Sequence, residues 1–401
     1  MPLFKYEAMN KKGEKIHGEF IANNKSEVLA MIRENNYYPI LVQEKSSKKE
    51  IEFSLKLKKV KAKDLAIFCR QLCTLLQAGM DILNSINVLK KQTENSKMRK
   101  SLQVVYEEIQ KGVSLSQSLK KFEDVYPPLL INMIEAGEET GRLDVIIERM
   151  SKHYERENKI NNKLKIALVY PIILIIASIT VVTFLLTYVM PTFISMFEGN
   201  NVELPGPTKV IIAMSNGIKL YWYLILLFII IIILIIRSLL KRENGKIKFD
   251  SIKLKMPLIG NTFIKIISAR FTRGLATVLS SGITMISAIE IVSKILGNSL
   301  VEKQLMNSRE KVVKGITLGE AIGNIESLPP MVNAMIKIGE ESGALDEVLD
   351  KTADFYEEEV EQALTKMTAI IEPILILIMG LIIGFIVIAM VMPMFDMYNA
   401  I

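Results

Sequence analysis

The sequence predicts a mainly α-helical, polytopic membrane protein. It would hold two homologous cytoplasmic helical-bundle domains, three transmembrane helices and a small α+β module at the N-terminus. The first observation behind this is a duplication. Residues 68–80, FCRQLCTLLQAGM, return as residues 271–283, FTRGLATVLSSGI, at an offset of 203. AGEETGRLD at 136–144 returns as IGEESGALD at 338–346, now at 202, so one residue is lost between the blocks. Such a period is too long for a solenoid unit and marks a duplicated domain. The second observation is three uncharged apolar stretches, each meeting the ~20 residues a helix needs to cross the hydrocarbon core. The third is a composition that is 50% apolar yet 23% charged, which suits a chain lying partly in lipid and partly in water.

Residues 1–43 form the N-terminal module. Phe4–Met9 and Ile16–Ile21 alternate as strands around the turn Asn10-Lys11-Lys12-Gly13. A short helix then opens at Asn24, and Tyr38–Val42 reads as one more strand. The opening residues Met1-Pro2-Leu3-Phe4-Lys5 lead into no apolar run, so no signal peptide is expected. The linker 44–63 is dense in lysine, including Lys45, Lys48, Lys49, Lys56, Lys58, Lys59, Lys61 and Lys63. It reads either as a solvated tether or as a contact for anionic lipids. Nucleic acid is not expected, because no aromatic interleaving or nucleic-acid fold signature accompanies the lysines.

The first helical repeat domain spans 64–165 and the second 265–371, the repeated helices themselves ending near 367. In the first copy, Leu65, Phe68, Leu72, Leu75 and Leu76 keep helical spacing up to Gly79. Further helices are expected over 82–92, 96–111, 114–120, 128–136 and 142–165. Gly112 and Gly315 stop helices, Ser114 and Thr317 start the next, and Pro127-Pro128 and Pro329-Pro330 open another.

The membrane helices are placed at 166–191, 220–240 and 372–393. Between the first two lies a short external loop, 192–219. A basic cytoplasmic linker, 241–264, follows the second, and a short external tail, 394–401, follows the third. Orientation comes from the basic residues. Arg149, Lys152, Arg156, Lys159, Lys163 and Lys165 precede the first span, and Arg237, Lys241, Arg242, Lys246 and Lys248 follow the second. The loop between holds only Lys209 and Lys219. Both repeat domains are therefore expected in the cytoplasm. Gly380 and Gly384 form a G-x-x-x-G that lets helices approach closely, so the third span is read as facing protein. The second, free of small residues from 224 to 236, is read as facing lipid.

Catalysis has little support. Cys69 and Cys73 sit four apart on a helix and read as buried apolar-face residues, and only His17 and His153 could join a zinc site. No cofactor or metal is expected, and no phosphate-cradling loop of the G-x-x-x-x-G-K type is present. The strongest local pattern is the repeated Gly-Glu-Glu-x-Gly-x-Leu-Asp. Gly137 and Gly141, like Gly339 and Gly343, would permit a tight corner. Glu138 and Glu139, with Glu340 and Glu341, read either as favouring the N-terminus of the next helix or as contacts for a partner or subunit. The helix before the first span is basic, whereas its counterpart carries Asp350, Asp354, Glu357, Glu358, Glu359 and Glu361. These two stalks would pair within or between chains. Glu357 and Glu358 are therefore candidate subunit contacts, and a homo-oligomer is expected. Glu372, at the inner mouth of the third span, reads as a headgroup contact or as the partner of a basic residue on another helix.

The chain resembles the inner-membrane platform proteins of type II secretion and type IV pilus assembly, the general secretion pathway protein F family. The resemblance runs through the whole chain. Its opening block includes Arg70 and Gly79, repeated as Arg273 and Gly282, with Asp81 where proline is common. The first span adds Lys163-Leu164, Ala167-Leu168, Tyr170-Pro171 and Val189-Met190-Pro191. The second copy keeps Ala369, Pro373 and Pro393 but has Glu372 where the first has Tyr170. The resemblance implies a non-enzymatic hub in the bacterial inner membrane. Its implied partners are a hexameric assembly or retraction ATPase, pilins or pseudopilins, and other inner-membrane assembly proteins. The other reading is a subunit of a membrane transporter or channel, which would need polar residues lining the spans, and the sparse Thr180, Thr183 and Thr187 are a thin basis for it.

Overall fold

A computed structural model describes residues 3–9, 15–22, 24–35, 37–44, 59–193, 205–257 and 259–399. It divides into two compact units, 1–59 and 60–401. In the first, strands β1 (Leu3–Met9), β2 (Lys15–Ile21) and β3 (Tyr38–Glu44) form an antiparallel sheet in the order β2-β1-β3. Helix α1 (Lys25–Glu34) is capped by Asn24, whose side chain accepts from the Glu27 amide. Phe4, Ala8, Val28, Ile32 and Val42 make its small core. The predicted turn at 10–13 and most of the lysine linker lie outside the described residues.

In the second unit, copy one contains α2 (Ala62–Gln77), α3 (Ile82–Gln92), α4 (Ser96–Gln110), α5 (Leu115–Lys120), α6 (Pro128–Thr140) and α7 (Leu143–Phe184). Copy two repeats this order as α10 (Ile259–Leu279), α11 (Met285–Ile295), α12 (Ser299–Val313), α13 (Leu318–Ile322), α14 (Pro330–Ser342) and α15 (Leu345–Asn399). Between them stand α8 (Gly206–Lys241) and α9 (Glu243–Lys255). The local signals act as read. Gly112 and Gly315 take φ of 86° and 89°, and Ser114 and Thr317 cap α5 and α13. The residue lost between copies falls after these caps and before Tyr126 and Leu328, where α13 is one residue shorter than α5. One continuous core runs through both copies, from Phe68, Leu72 and Tyr126 to Phe271, Leu275 and Val332.

The Gly-Glu-Glu corner differs from its sequence reading. Helix α6 does not stop at residue 136 but continues through Gly137 to Thr140, and α14 likewise continues to Ser342. Only Gly141 and Gly343, with φ of 67° and 68°, make the corner. Gly137 and Gly339 serve close approach instead: a Cβ at Gly339 would lie 2.8 Å from the Leu345 Cα, and one at Gly137 3.2 Å from the Leu143 Cα.

Two helices are long and apolar enough to cross a membrane, Leu143–Phe193 and Leu345–Met392. A third candidate, Gly206–Leu224 with Leu226–Leu240, is bent by 50°. Residues 206–219, read from sequence as loop, are helical, because Pro207 occupies the first turn, where proline is pre-organised for a helix. This part of α8 packs against the far ends of α7 and α15: Ile211 joins Leu186, Met190, Ile386 and Ala389 in a separate core. Ser215 donates to the Leu186 carbonyl at 2.5 Å, within a π-helical turn at Leu185–Val189, and Thr208 donates to the Ala389 carbonyl at 2.6 Å. Leu226 through Ile236, where described, is exposed, as a lipid-facing helix is.

Candidate functional site

The distinctive chemistry of the chain lies where the two repeats meet, along α7 and α15. Each is a single helix running from a water-exposed bundle into an apolar span. Arg70 on α2 donates to Glu155 on α7 at 2.6 Å. Arg273, its repeat counterpart on α10, donates to Glu357 at 2.8 Å, and Glu357 is the counterpart of Glu155. Each copy therefore clasps its first helix to its long helix with the same ion pair. The surroundings differ. The Arg70 side chain is 68% exposed, whereas Arg273 is 7% exposed and also binds Asp350 and Asp354. Arg70 holds the Glu155 carboxyl below the ordinary carboxylate range.

The basic and acidic stalks pair within the chain. Arg156 stands 3.7 Å from Asp354 and 3.9 Å from Glu357, Lys159 lies 3.4 Å from Glu361, and Lys163 also binds Glu361. Glu361 is held below the usual carboxylate range, chiefly by its hydrogen bond to Lys163. Lys159 and Glu361 are repeat counterparts, and so are Tyr170 and Glu372, whose side chains meet at 2.9 Å. Glu372, read from sequence as a headgroup contact or as the partner of a basic residue, thus accepts from a tyrosine of the other long helix.

The bundles also touch, and asymmetrically. Arg270 of α10 donates to Glu157 of α7 at 2.5 and 3.1 Å and to Asn161 at 3.3 Å. Arg149 donates to Ser280 at 2.6 Å and Ser281 at 3.3 Å. Two clefts flank these contacts. One, of about 410 Å³, is lined by residues that include Arg149, His153, Arg156, Arg273 and Asp350. The other, of about 370 Å³, lies between α6 and α11, with Glu135, Ala136, Glu139, Glu290 and Lys294 on its walls. His153 keeps a buried Nδ1 without a hydrogen-bond partner, and burial pushes its imidazole below its ordinary value.

The sequence-derived candidates separate here. Glu138 accepts from the Leu115 and Ser116 amides at 2.7 and 3.2 Å, and Glu340 accepts from Leu318 and Gly319 at 2.6 and 2.8 Å. These carboxylates lie in the last turns of α6 and α14 and cap the preceding short helices, α5 and α13, not the helices that follow. Glu139 and Glu341 are exposed, and Glu139 faces the second cleft. Glu357 is engaged by Arg273 and Arg156 of its own chain, the within-chain alternative of the stalk pairing, while Glu358 is exposed. Gly380 and Gly384 have open space where a Cβ would stand, with no packed atom of the described residues within 4 Å. Cys69 and Cys73 are buried free thiols, as read. Among the described residues, no group of three or more His, Cys, Asp or Glu side chains could hold a metal.

Sequence reasoning marked Arg70 and Arg273 as motif residues without finding their partners. Part of the signal was available: Glu155 and Glu357 are among the acidic pairs retained at the repeat offset, with Glu148 and Asp350 and with Glu157 and Glu359, while Lys152, Arg156 and Lys159 have acids as counterparts in the second copy.

Fold and site together define a class of membrane protein with a duplicated helical domain on paired long helices. The type II secretion system protein F family matches residues 68–191 and 271–393, and its N-terminal domain matches 1–43. The chain belongs to this family. It is 34% identical to the type IV pilus assembly protein PilC of Thermus thermophilus, over all of this chain and 99% of that one. It is 33% identical to PilC of Myxococcus xanthus, over 99% of this chain and 95% of that one. It is 30% identical to the type II secretion system protein F of Vibrio cholerae, over all of this chain and 99% of that one.

Proposed function

We propose that the protein is a non-enzymatic inner-membrane platform. It couples a cytoplasmic motor ATPase to the assembly of a type IV pilus or a type II secretion pseudopilus, moving pilin subunits from the membrane into the filament. The observation that carries this reading is the continuity of α7 and α15, which join each bundle to an apolar span without a break in the chain's helical course. An α-helix rises 1.5 Å per residue, so a displacement at the bundle is delivered to the span through a stiff rod rather than a loop. Similarity over the full length to proteins named for pilus assembly and for secretion supports the same reading.

In this reading there are three spans, α8 supplying the second. The N-terminal module and both bundles lie in the cytoplasm, and the C-terminus lies outside, as the basic flanks require. The exposed Glu139 and Glu341 are the members of the acidic pairs open to contact with a partner or with another subunit. The lysine-rich linker meets anionic headgroups.

The test is deletion of the gene with complementation, read by filament assembly or secretion. It is joined by photo-crosslinking in living cells from positions 139 and 341, with the partner identified by mass spectrometry. Loss of filaments or secretion, and capture of an ATPase or a pilin-like subunit, are expected. Intact filaments and secretion with abolished uptake of a solute would instead support a transporter subunit.

A further inference from the structure

The contact between the two bundles is heterologous: copy one presents α6 and α7, whereas copy two presents α10 and α11. A heterologous interface leaves one face of each kind unfilled at the ends. Here the unfilled faces are α2 and α3 of copy one and, in copy two, α14 with the exposed side of α15 that carries Lys351, Phe355 and Glu358, the other side of α15 being paired with α7.

The repeat offset shows what these faces would meet. On α10, the stripe Ile266, Arg270, Arg273 and Thr277 is buried or half-buried. The same stripe on α2, Lys63, Ile67, Arg70 and Thr74, is exposed at every position. Ile67 is a large apolar residue, 45% exposed in a water-facing bundle, and its counterpart is the interface residue Arg270. The other face behaves likewise. Phe355 and Ile338 are exposed, and their counterparts, His153 and Ala136, line the two inter-repeat clefts. Exposed apolar side chains thus stand at positions that the covered copy uses as interface.

Charge agrees with a second copy of this chain as the occupant. Within the chain, Arg156 and Arg273 share one cleft and are bridged by acids. Their counterparts are Glu358 and Arg70, which are opposite in sign and both exposed. Glu139 and Lys294 share the other cleft, and their counterparts Glu341 and Lys91 are again an exposed acid and base.

We propose that α14 and α15 of one chain dock on α2 and α3 of the next, repeating between chains the contact made within one. Because the counterparts Lys159 and Glu361, and Tyr170 and Glu372, meet at the same level, the repeat operation carries no rise along the stalks. Applied again it closes into a ring in the membrane plane rather than an open filament.

The intrachain pair Arg149 and Ser280 translates to Lys351 of one chain and Gln77 of the next, both exposed. The experiment co-expresses two differently tagged full-length chains, one carrying Gln77→Cys and the other Lys351→Cys, and treats membranes with a short bis-maleimide. Chains with only the buried native cysteines give the background. Arg149→Cys with Ser280→Cys in one chain gives the positive control, read as an internally crosslinked monomer. A mixed-tag dimer is expected, and both substitutions in one chain should extend it to a ladder. Adding Ile67→Asp should lower the crosslinked fraction about tenfold, as for a residue central to an interface. A positive control that crosslinks without a mixed-tag dimer would overturn the proposal. So would a dimer that is indifferent to Ile67→Asp, or self-association that persists through the spans with no link between positions 77 and 351.

Discussion

Arg70 and Arg273 form an internal experiment, since they are the same residue in two copies of one domain with the same primary partner and different surroundings. Replacing Arg273 by Met keeps the apolar stem and removes the charge. Breaking a buried ion pair by deleting one partner costs about 3–5 kcal/mol, mostly because the remaining charge stays desolvated. Glu357, 23% exposed, keeps only Arg156 at 3.9 Å among the described residues, while Asp350 and Asp354 are more than half exposed and recover water. The cost should therefore fall at the lower end, about 3 kcal/mol. Replacing Arg70 by Met breaks an exposed pair, worth about 0.2–1 kcal/mol. Urea unfolding of the full-length protein in detergent, followed by circular dichroism, should place the two variants about 2 kcal/mol or more apart, allowing for that range. Equal losses, or a larger loss for Arg70→Met, would refute the argument that burial and not the shared motif sets the worth of the clasp.

Gly339→Ala should destabilise by about 1–3 kcal/mol, because its Cβ meets the Leu345 backbone. Gly137→Ala has more room, and its gain in helix propensity offsets much of the strain, so the same unfolding assay should find it near neutral. Glu138→Ala and Glu340→Ala each remove a charged acceptor from two backbone amides and should cost about 1.5–3 kcal/mol, read as faster amide exchange in α5 and α13 respectively. For Glu361 the folded pKa is depressed, so its stabilisation is present above the unfolded carboxylate value and is lost as pH falls through the folded one. The stability difference between wild type and Glu361→Gln should accordingly be present at neutral pH and shrink as the pH falls through and below the ordinary carboxylate range, measured by unfolding from neutral to acid pH.

Most of the helices were legible because their ends carry local chemistry. Ser114 and Thr317 accept from amides three residues on, and Gly141 and Gly343 adopt a left-handed backbone. These interactions span a few residues and leave a mark in a short window. The partners of Arg70 and Arg273 lie 85 and 84 residues away, and no local period encodes that pairing. The N-terminal part of α8 was misread for a related reason. Pro205-Gly206-Pro207 looks like loop, yet a proline in the first turn starts a helix when packing follows, and the packing on Leu186 and Ala389 comes from distant segments. Gly380 and Gly384 show the converse, a motif legible in the sequence beside which the described residues leave open space.

The divergence in charge between the copies has a geometric cause. Along the stalks, repeat counterparts meet one another, so an unchanged duplicate would set each side chain against its own copy. At position 159 that means lysine against lysine, and at 372 a carboxylate against a carboxylate where apolar spans begin. Two like charges 4 Å apart repel by roughly 1 kcal/mol in water and roughly 4 kcal/mol near a protein surface. Changing one member of each set converts the repulsion to attraction, giving Lys159 with Glu361 and Tyr170 with Glu372. The clasp residues Arg70, Glu155, Arg273 and Glu357 were free of this pressure, because each arginine's shortest bond to an acid on the long helix is made inside its own copy. Retention where contacts are internal, and divergence where counterparts touch, is the pattern expected if the two copies evolved against each other in one chain. It also explains why a protein built by duplication presents two faces of unlike charge.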